Sequence, residues 1–235
     1  MKIHEMFLDE SNRRVCCGKS IKELITAGGK KHLWDERKGN IIDTVVLHYI
    51  SAVEVVPSTP FCEEAILKIF CDYSVSSHYL INRRGKIFQL VPEDKRAWHA
   101  GGSIMPEPDR RIGVNEFSIG IEIVATPSSG FTKLQYESLG KLCSLIEKRY
   151  CKEFTYTGHE HIAGQRAVKL GLRKDVKIDP GPLFDWELFK LMLDKYRMDK
   201  ALENIGRLPS KTPAPGLRQA RRASSVQDRP DVTKT

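Results

Sequence analysis

Several residues able to bind a metal or move a proton stand where β-strands should end. His48 closes the β-branched run Ile41-Ile42-Asp43-Thr44-Val45-Val46-Leu47, and His159 follows the short run Glu153–Thr157 across Gly158. Asp179 lies in Lys177-Ile178-Asp179-Pro180-Gly181. The proline biases Asp179 toward an extended conformation, in which Lys177 and Asp179 point the same way. Two neutral imidazoles and one carboxylate make a catalytic zinc shell with a fourth position open for water. Such a site keeps one net positive charge, which helps to acidify that water and to polarise an amide carbonyl. Glu122 is the candidate general base and the Lys177 ammonium the candidate stabiliser of an oxyanion.

Spacing alone leaves a structural alternative open for each of these. A histidine after a strand is commonly a hydrogen-bonded structural residue, and His4 and His32 are read that way. A glutamate on the solvated face of a strand is equally ordinary. His161, two residues beyond His159, competes with it for a ligand position.

These residues need a scaffold, and the hydrophobic pattern supplies one. Residues 1–40 are polar and mixed, read as an irregular N-terminal extension with a short helix over Ile21–Ala27. Phe61–Cys71 carries apolar residues at helical spacing. His78–Asn82 and Lys86–Leu90 flank Arg83-Arg84-Gly85, a hairpin signal. Ser118–Val124 alternates cleanly: Ile119, Ile121 and Ile123 share one face, Ser118, Gly120 and Glu122 the other. Thr132 and Gln135 form a capping box ahead of a helix striped with Leu139, Leu142 and Ile146, and Asp185 caps a last helix. Strands alternating with helices predict an α/β fold with a central mixed β-sheet flanked by helices, over residues 41–204. Residues 205–235, rich in Pro, Ser and Arg, are expected to be a disordered tail.

The blocks around the candidate residues resemble a known family. Ser74-Val75-Ser76-Ser77-His78-Tyr79-Leu80-Ile81 with Gly85 and Gln89-Leu90-Val91-Pro92 is one. Asp94-Lys95-Arg96-Ala97-Trp98-His99-Ala100-Gly101 is a second, and Asn115-Glu116-Phe117-Ser118-Ile119-Gly120-Ile121-Glu122 a third. Thr157-Gly158-His159 and Asp179-Pro180-Gly181-Pro182 follow in order. Together they are similar to the type-2 N-acetylmuramoyl-L-alanine amidases, the AmpD-like family, from about Asp43 to Trp186. The resemblance implies zinc bound by His48, His159 and Asp179, with Glu122 as base and Lys177 as transition-state stabiliser. It implies substrate contacts from Tyr49, His99 and Asn115, with a structural role behind the ligands as the alternative for His99, and leaves His78 a packing or supporting role. It also implies peptidoglycan fragments, muropeptides, as the partner.

The chain departs from that pattern in places. Gln165–Asp175 lengthens the loop before Lys177. Ser74 stands where some cytoplasmic members carry an arginine, leaving Arg83, Arg84, Arg110 and Arg111 as cations available for a stem-peptide carboxylate. A peptidoglycan-recognition module without catalysis is the competing reading, and retention of all three ligand positions argues against it.

Composition narrows the field further. The 235 residues are 40% hydrophobic and 29% charged, a globular balance. Of the net charge of +8, five units lie in Arg207–Thr235, which has seven Lys/Arg against two Asp/Glu. That tail has no aromatic residue for stacking on bases, so nucleic acid is not the expected partner. The six cysteines fit no zinc-ribbon spacing, and Cys143 sits in an apolar helical pattern as a packed thiol. The first residues have no apolar stretch of a signal peptide, so a cytoplasmic location and a role in muropeptide recycling are expected.

Overall fold

The computed structural model describes residues 1–206, so the expected tail lies outside the described residues. Its frame is a six-stranded mixed sheet. The strands are β1 (Ile3–Glu5), β5 (Thr44–Ile50), β6 (Tyr79–Ile81), β7 (Ile87–Gln89), β9 (Ser118–Val124) and β10 (Thr155–Gly158), in the order β1-β7-β6-β9-β5-β10. Only β6 and β7 pair antiparallel, as the hairpin signal requires, with Gly85 at φ +73° in the turn. The other four pairings are parallel.

The alternation in β9 sorts the two faces. Ile119, Ile121 and Ile123 pack with Val45 and Leu47 of β5 under α3 (Lys133–Tyr150) and the last described helix (Trp186–Gly206). Leu139, Leu142, Cys143 and Ile146 of α3 are fully buried there. Each such aliphatic side chain contributes roughly 1.5–3 kcal/mol. The Thr132–Gln135 capping box forms as the sequence predicts, and the Asp185 carboxylate accepts from the Leu188 N–H at 2.8 Å.

The opposite face is covered at its sides. Over β6 and β7 lie α1 (Ile21–Ala27) and α2 (Glu63–Asp72), through Ile21, Ile25, Ile66, Leu67 and Phe70. Over Val46 lie Ala100, Met105, Val114 and α4 (His159–Ile162). Between these two covers the ends of β5 and β9 are left open, and the cleft forms there.

Residues 1–40 are more ordered than their sequence suggests. β1 joins the edge of the main sheet, and Val15–Cys16 (β2) pairs with Lys19–Ser20 (β3). Trp34–Glu36 (β4) pairs antiparallel with Lys95–Ala97 (β8). Each of these strands has two or three residues, too few to show a period of two. A second correction concerns His48: it lies within β5, which continues to Ile50, rather than after its end.

Candidate metal centre and its cleft

Parallel pairing of β5 with β9 sets His48 opposite Glu122, and Val46 opposite Gly120. His159 enters from the neighbouring edge strand: β10 ends at Gly158, and His159 is the first residue of α4. Asp179 comes from the loop that follows, whose backbone is tied to α4 by the Glu160 N–H donating to the Asp179 carbonyl at 2.8 Å.

The three side chains converge. His48 Nδ1 is 3.1 Å from His159 Nδ1 and 3.0 Å from Asp179 Oδ2, and His159 Nδ1 is 3.1 Å from the same Oδ2. Ligands held at about 2.0–2.1 Å around a tetrahedral zinc ion lie about 3.3 Å apart, so this triangle has nearly the dimensions that a first-row divalent ion needs. The donor set of two nitrogens and one oxygen suits zinc. The far nitrogen of His159, Nε2, is 3.3 Å from the Ala100 carbonyl, which can only accept. His159 therefore carries its proton on Nε2 and turns the Nδ1 lone pair toward Asp179 and His48. Lone pairs this close need a proton or a cation between them. Burial first, and then the neighbouring His159, lower the His48 pKa to about 4, so a second proton on that ring is disfavoured at neutral pH. Burial pushes Asp179 upward, but its contacts with His159 and His48 outweigh this and hold the carboxyl well below its usual range. It is the one such metal-suited cluster among the described residues.

A cleft of about 430 Å³ opens over the cluster, lined by Tyr49, Trp98, Glu122 and Lys177 among others. Glu122 is half-buried, and its Oε2 is screened from solvent with no hydrogen-bond partner among the described residues. Burial, then the Asp179 carboxylate, push its pKa well above the usual value, while Lys177 pulls the other way. A second cavity of about 230 Å³ adjoins it and shares His99, His159 and Lys177.

The structure thus brings His48, His159, Asp179, Glu122, Lys177 and Tyr49 to one cleft. His99 and Asn115 border it too, but both are engaged in holding the wall. Both His99 ring nitrogens are within 3.2 Å of protein partners, His48 Nε2 and Ser118 Oγ. Asn115 Oδ1 accepts from the N–H groups of His99 and Ala100 at 3.2 and 2.8 Å. His161 stays outside the cluster: its Nδ1 accepts from the Gly158 N–H at 3.1 Å and its ring lies 5.7 Å from Trp186. His78 is fully buried, accepting from the Gly120 N–H on Nδ1 at 2.9 Å.

The four arginines considered for carboxylate binding are not in the cleft. Arg83 donates to the Gly130 carbonyl, Arg110 pairs with Glu107, Arg111 bridges Asp43 and Asp109, and Arg84 is exposed. The arginine that does line the second cavity, beside Lys177, is Arg173, from the lengthened segment before Lys177, which opens as a short helix over Gln165–Lys169 rather than as loop.

Sequence reasoning missed Arg37 and Asp35. The Arg37 guanidinium donates to the carbonyls of Glu93, Asn115, Glu116 and Ser118, tying together three segments that frame the site. Asp35 accepts from Trp98 Nε1 at 2.8 Å and pairs with Arg96. Neither has a local sequence signal, because every partner is distant in the chain.

A mixed-sheet α/β domain with a buried His-His-Asp cluster at its strand ends defines a class of candidate metallohydrolase. Comparison with known proteins gives the family: residues 38–182 match the Amidase_2 model, N-acetylmuramoyl-L-alanine amidase, and the chain belongs to that family. It is 42% identical over 120 residues to the 1,6-anhydro-N-acetylmuramyl-L-alanine amidase AmpD of Citrobacter freundii, a match covering 51% of this chain and 57% of that protein. The chain therefore spans a little over half the length of this curated relative. The crystal structure of a selenomethionine AmpD derivative superposes with a TM-score of 0.54 at 30% identity, covering 82% of this chain and 99% of that one. AmiD of E. coli, solved with anhydro-N-acetylmuramic acid-L-Ala-D-γ-Glu-L-Lys, gives a TM-score of 0.50 at 30% identity, over 67% of this chain and 60% of that one.

Proposed function

We propose that this protein is a zinc-dependent amidase that hydrolyses the bond between N-acetylmuramic acid and L-alanine in muropeptides. The convergence of His48 Nδ1, His159 Nδ1 and Asp179 Oδ2 at 3.0–3.1 Å carries the reading. Family membership and the substrate names of the relatives supply the bond to be cut.

Zinc held by these three residues would polarise the scissile carbonyl, acidify a water, and draw the Glu122 carboxyl back toward its ionised form. Glu122 then accepts the proton of the attacking water on its unpartnered oxygen. The same carboxyl delivers that proton to the departing L-alanine nitrogen, so one residue serves as base and then acid. Lys177, exposed at the rim, donates from Nζ to the oxyanion as the carbonyl becomes tetrahedral. Tyr49 and Trp98 wall the cleft and limit access of bulk water to the reacting centre. A role in recycling fragments in the cytoplasm follows the relatives named for 1,6-anhydro substrates and is part of this proposal. No helix among the described residues is long and apolar enough to cross a membrane.

The test is release of L-alanyl peptide from an anhydromuramyl tripeptide, followed by mass spectrometry with and without a chelator. Cleavage at the muramyl–alanine bond, abolished by chelator and restored by zinc, is expected. Absence of cleavage by folded, zinc-loaded protein would reject the activity.

A further inference from the structure

His99 is buried at the base of the cleft, with its ring 5.2 Å from that of His48. It occupies space that any residue but glycine at position 120 would fill. A Cβ on Gly120 would lie 2.4 Å from His99 Cγ and 2.7 Å from its Nδ1. A buried imidazole seated in so tight a space cannot easily turn, and its hydrogen bonds are correspondingly fixed.

Those bonds have a forced direction. The Val114 carbonyl can only accept, so Ser118 Oγ donates to it, at 2.6 Å. With its proton spent, Ser118 Oγ accepts from His99 Nε2 at 3.2 Å. A neutral imidazole protonated on Nε2 has a lone pair on Nδ1, and His99 Nδ1 lies 3.1 Å from His48 Nε2. His48 must then donate from Nε2, which leaves its Nδ1 lone pair facing His159 and Asp179. One main-chain carbonyl thus sets the tautomer of a candidate metal ligand through two intervening side chains.

We propose that His99 and Ser118 are positioning residues: the chain Val114 carbonyl–Ser118–His99–His48 fixes His48 as the tautomer whose Nδ1 is free to bind the metal. This rests on the metal-site reading above. It gives His99 a task other than touching substrate, and it parallels the simpler device at His159, where the Ala100 carbonyl acts directly. Partners of this kind orient a metal-binding histidine and raise its basicity, and their loss typically weakens metal affinity by about 10–100-fold.

The test uses the full chain, ring-labelled with ¹⁵N at histidine, together with Ser118→Ala. In the metal-free wild type, two-bond ¹H–¹⁵N spectra should show His99 and His48 each protonated on Nε2. Zinc affinity, measured by competition with a chromophoric chelator, should fall by about 10–100-fold in Ser118→Ala while its circular dichroism matches wild type. A His99 protonated on Nδ1, or a folded variant that binds zinc as tightly as wild type, would overturn the proposal. If Ser118→Ala does not fold, the wild-type tautomers decide alone. A wild type that binds no zinc while showing both Nε2 tautomers would reject the metal reading and leave the chain of hydrogen bonds standing, so the two failures are distinct.

Discussion

Replacing Glu122 by glutamine separates the chemistry of this site from its construction. The carboxyl stands opposite His48 across the β5–β9 pair, with Oε2 screened and unpartnered among the described residues. Burial and the Asp179 carboxylate raise its pKa well above that of an ordinary glutamate, 4.5. In metal-free protein the folded state therefore keeps a proton that the unfolded chain releases as pH passes 4.5. Above that point, up to the raised folded value, the folded state binds more protons than the unfolded one. Stability contributed by this group then falls as pH rises, by at most about 1.4 kcal/mol per pH unit. Glutamine keeps the shape and cannot ionise, so the variant lacks that slope. His48, lowered to about 4 by burial, adds its own pH dependence in the same window, and only the difference between the two proteins isolates Glu122. Urea unfolding with chelator present, between about pH 5 and 8, should show Glu122→Gln gaining on wild type as pH rises. Added zinc should shrink the difference, because a nearby cation favours the carboxylate. Turnover of the zinc-loaded variant should fall by about 10²–10⁴-fold, with zinc still bound, since Glu122 contributes no atom to the cluster. Parallel stability curves would refute the buried-carboxyl argument, and undiminished turnover would refute the role as base.

Three other substitutions probe the rest of the site. Asp179→Asn removes the one anionic member of the cluster and should weaken zinc binding by more than the ~10–100-fold expected of a residue that only orients a ligand, as read by chelator competition. His161→Ala should leave zinc stoichiometry at one per chain by atomic absorption, because the Nδ1 of His161 is occupied by the Gly158 N–H; loss of the metal would move the ligand assignment from His159 to His161. Asp35→Ala removes the acceptor of Trp98 Nε1 and one of the two carboxylates paired with Arg96, Glu116 being the other. Chemical unfolding should show a loss of about 0.5–1.5 kcal/mol, since Asp35 is 45% exposed and its pairing is screened by solvent, with lower turnover as the Trp98 wall loosens. A variant as stable as wild type would show that β4 does not brace the cleft.

The sequence was most readable where local rules act alone. The alternation of Ser118–Val124 gave both the bounds of β9 and the faces of its residues, because one face is apolar without interruption. The capping box at Thr132 and the carboxylate cap at Asp185 are likewise contained within a few residues. The cluster itself could be proposed from strand-end placement and family resemblance, but spacing could not separate His159 from His161. Only the fold shows that His161 turns back onto Gly158 while His159 faces inward. Long-range support stayed hidden. Arg37 lies in a polar stretch like many others, and its carbonyl partners are 56 to 81 residues away. The arginine bordering the second cavity, Arg173, had no more signal than the four arginines considered before it.

The motif blocks are each compact in sequence because each does two jobs at once. Trp98–Gly101 puts His99 against His48 and the Ala100 carbonyl against His159, so one short segment steadies both imidazoles. Asn115–Glu122 provides the side chain that pins that segment in Asn115, the hydroxyl that anchors His99 in Ser118, the missing side chain that admits its ring in Gly120, and the carboxyl of the cleft in Glu122. These last four stand in or just before one strand, and Ser118, Gly120 and Glu122 alternate onto the same face. A one-residue slip of β9 would therefore turn Glu122 into the core beneath α3, turn the isoleucines into the cleft and remove the seat of His99 together. The isoleucine face that fixes the register of β9 in the core thus also fixes the geometry of the metal centre on the other side of the sheet.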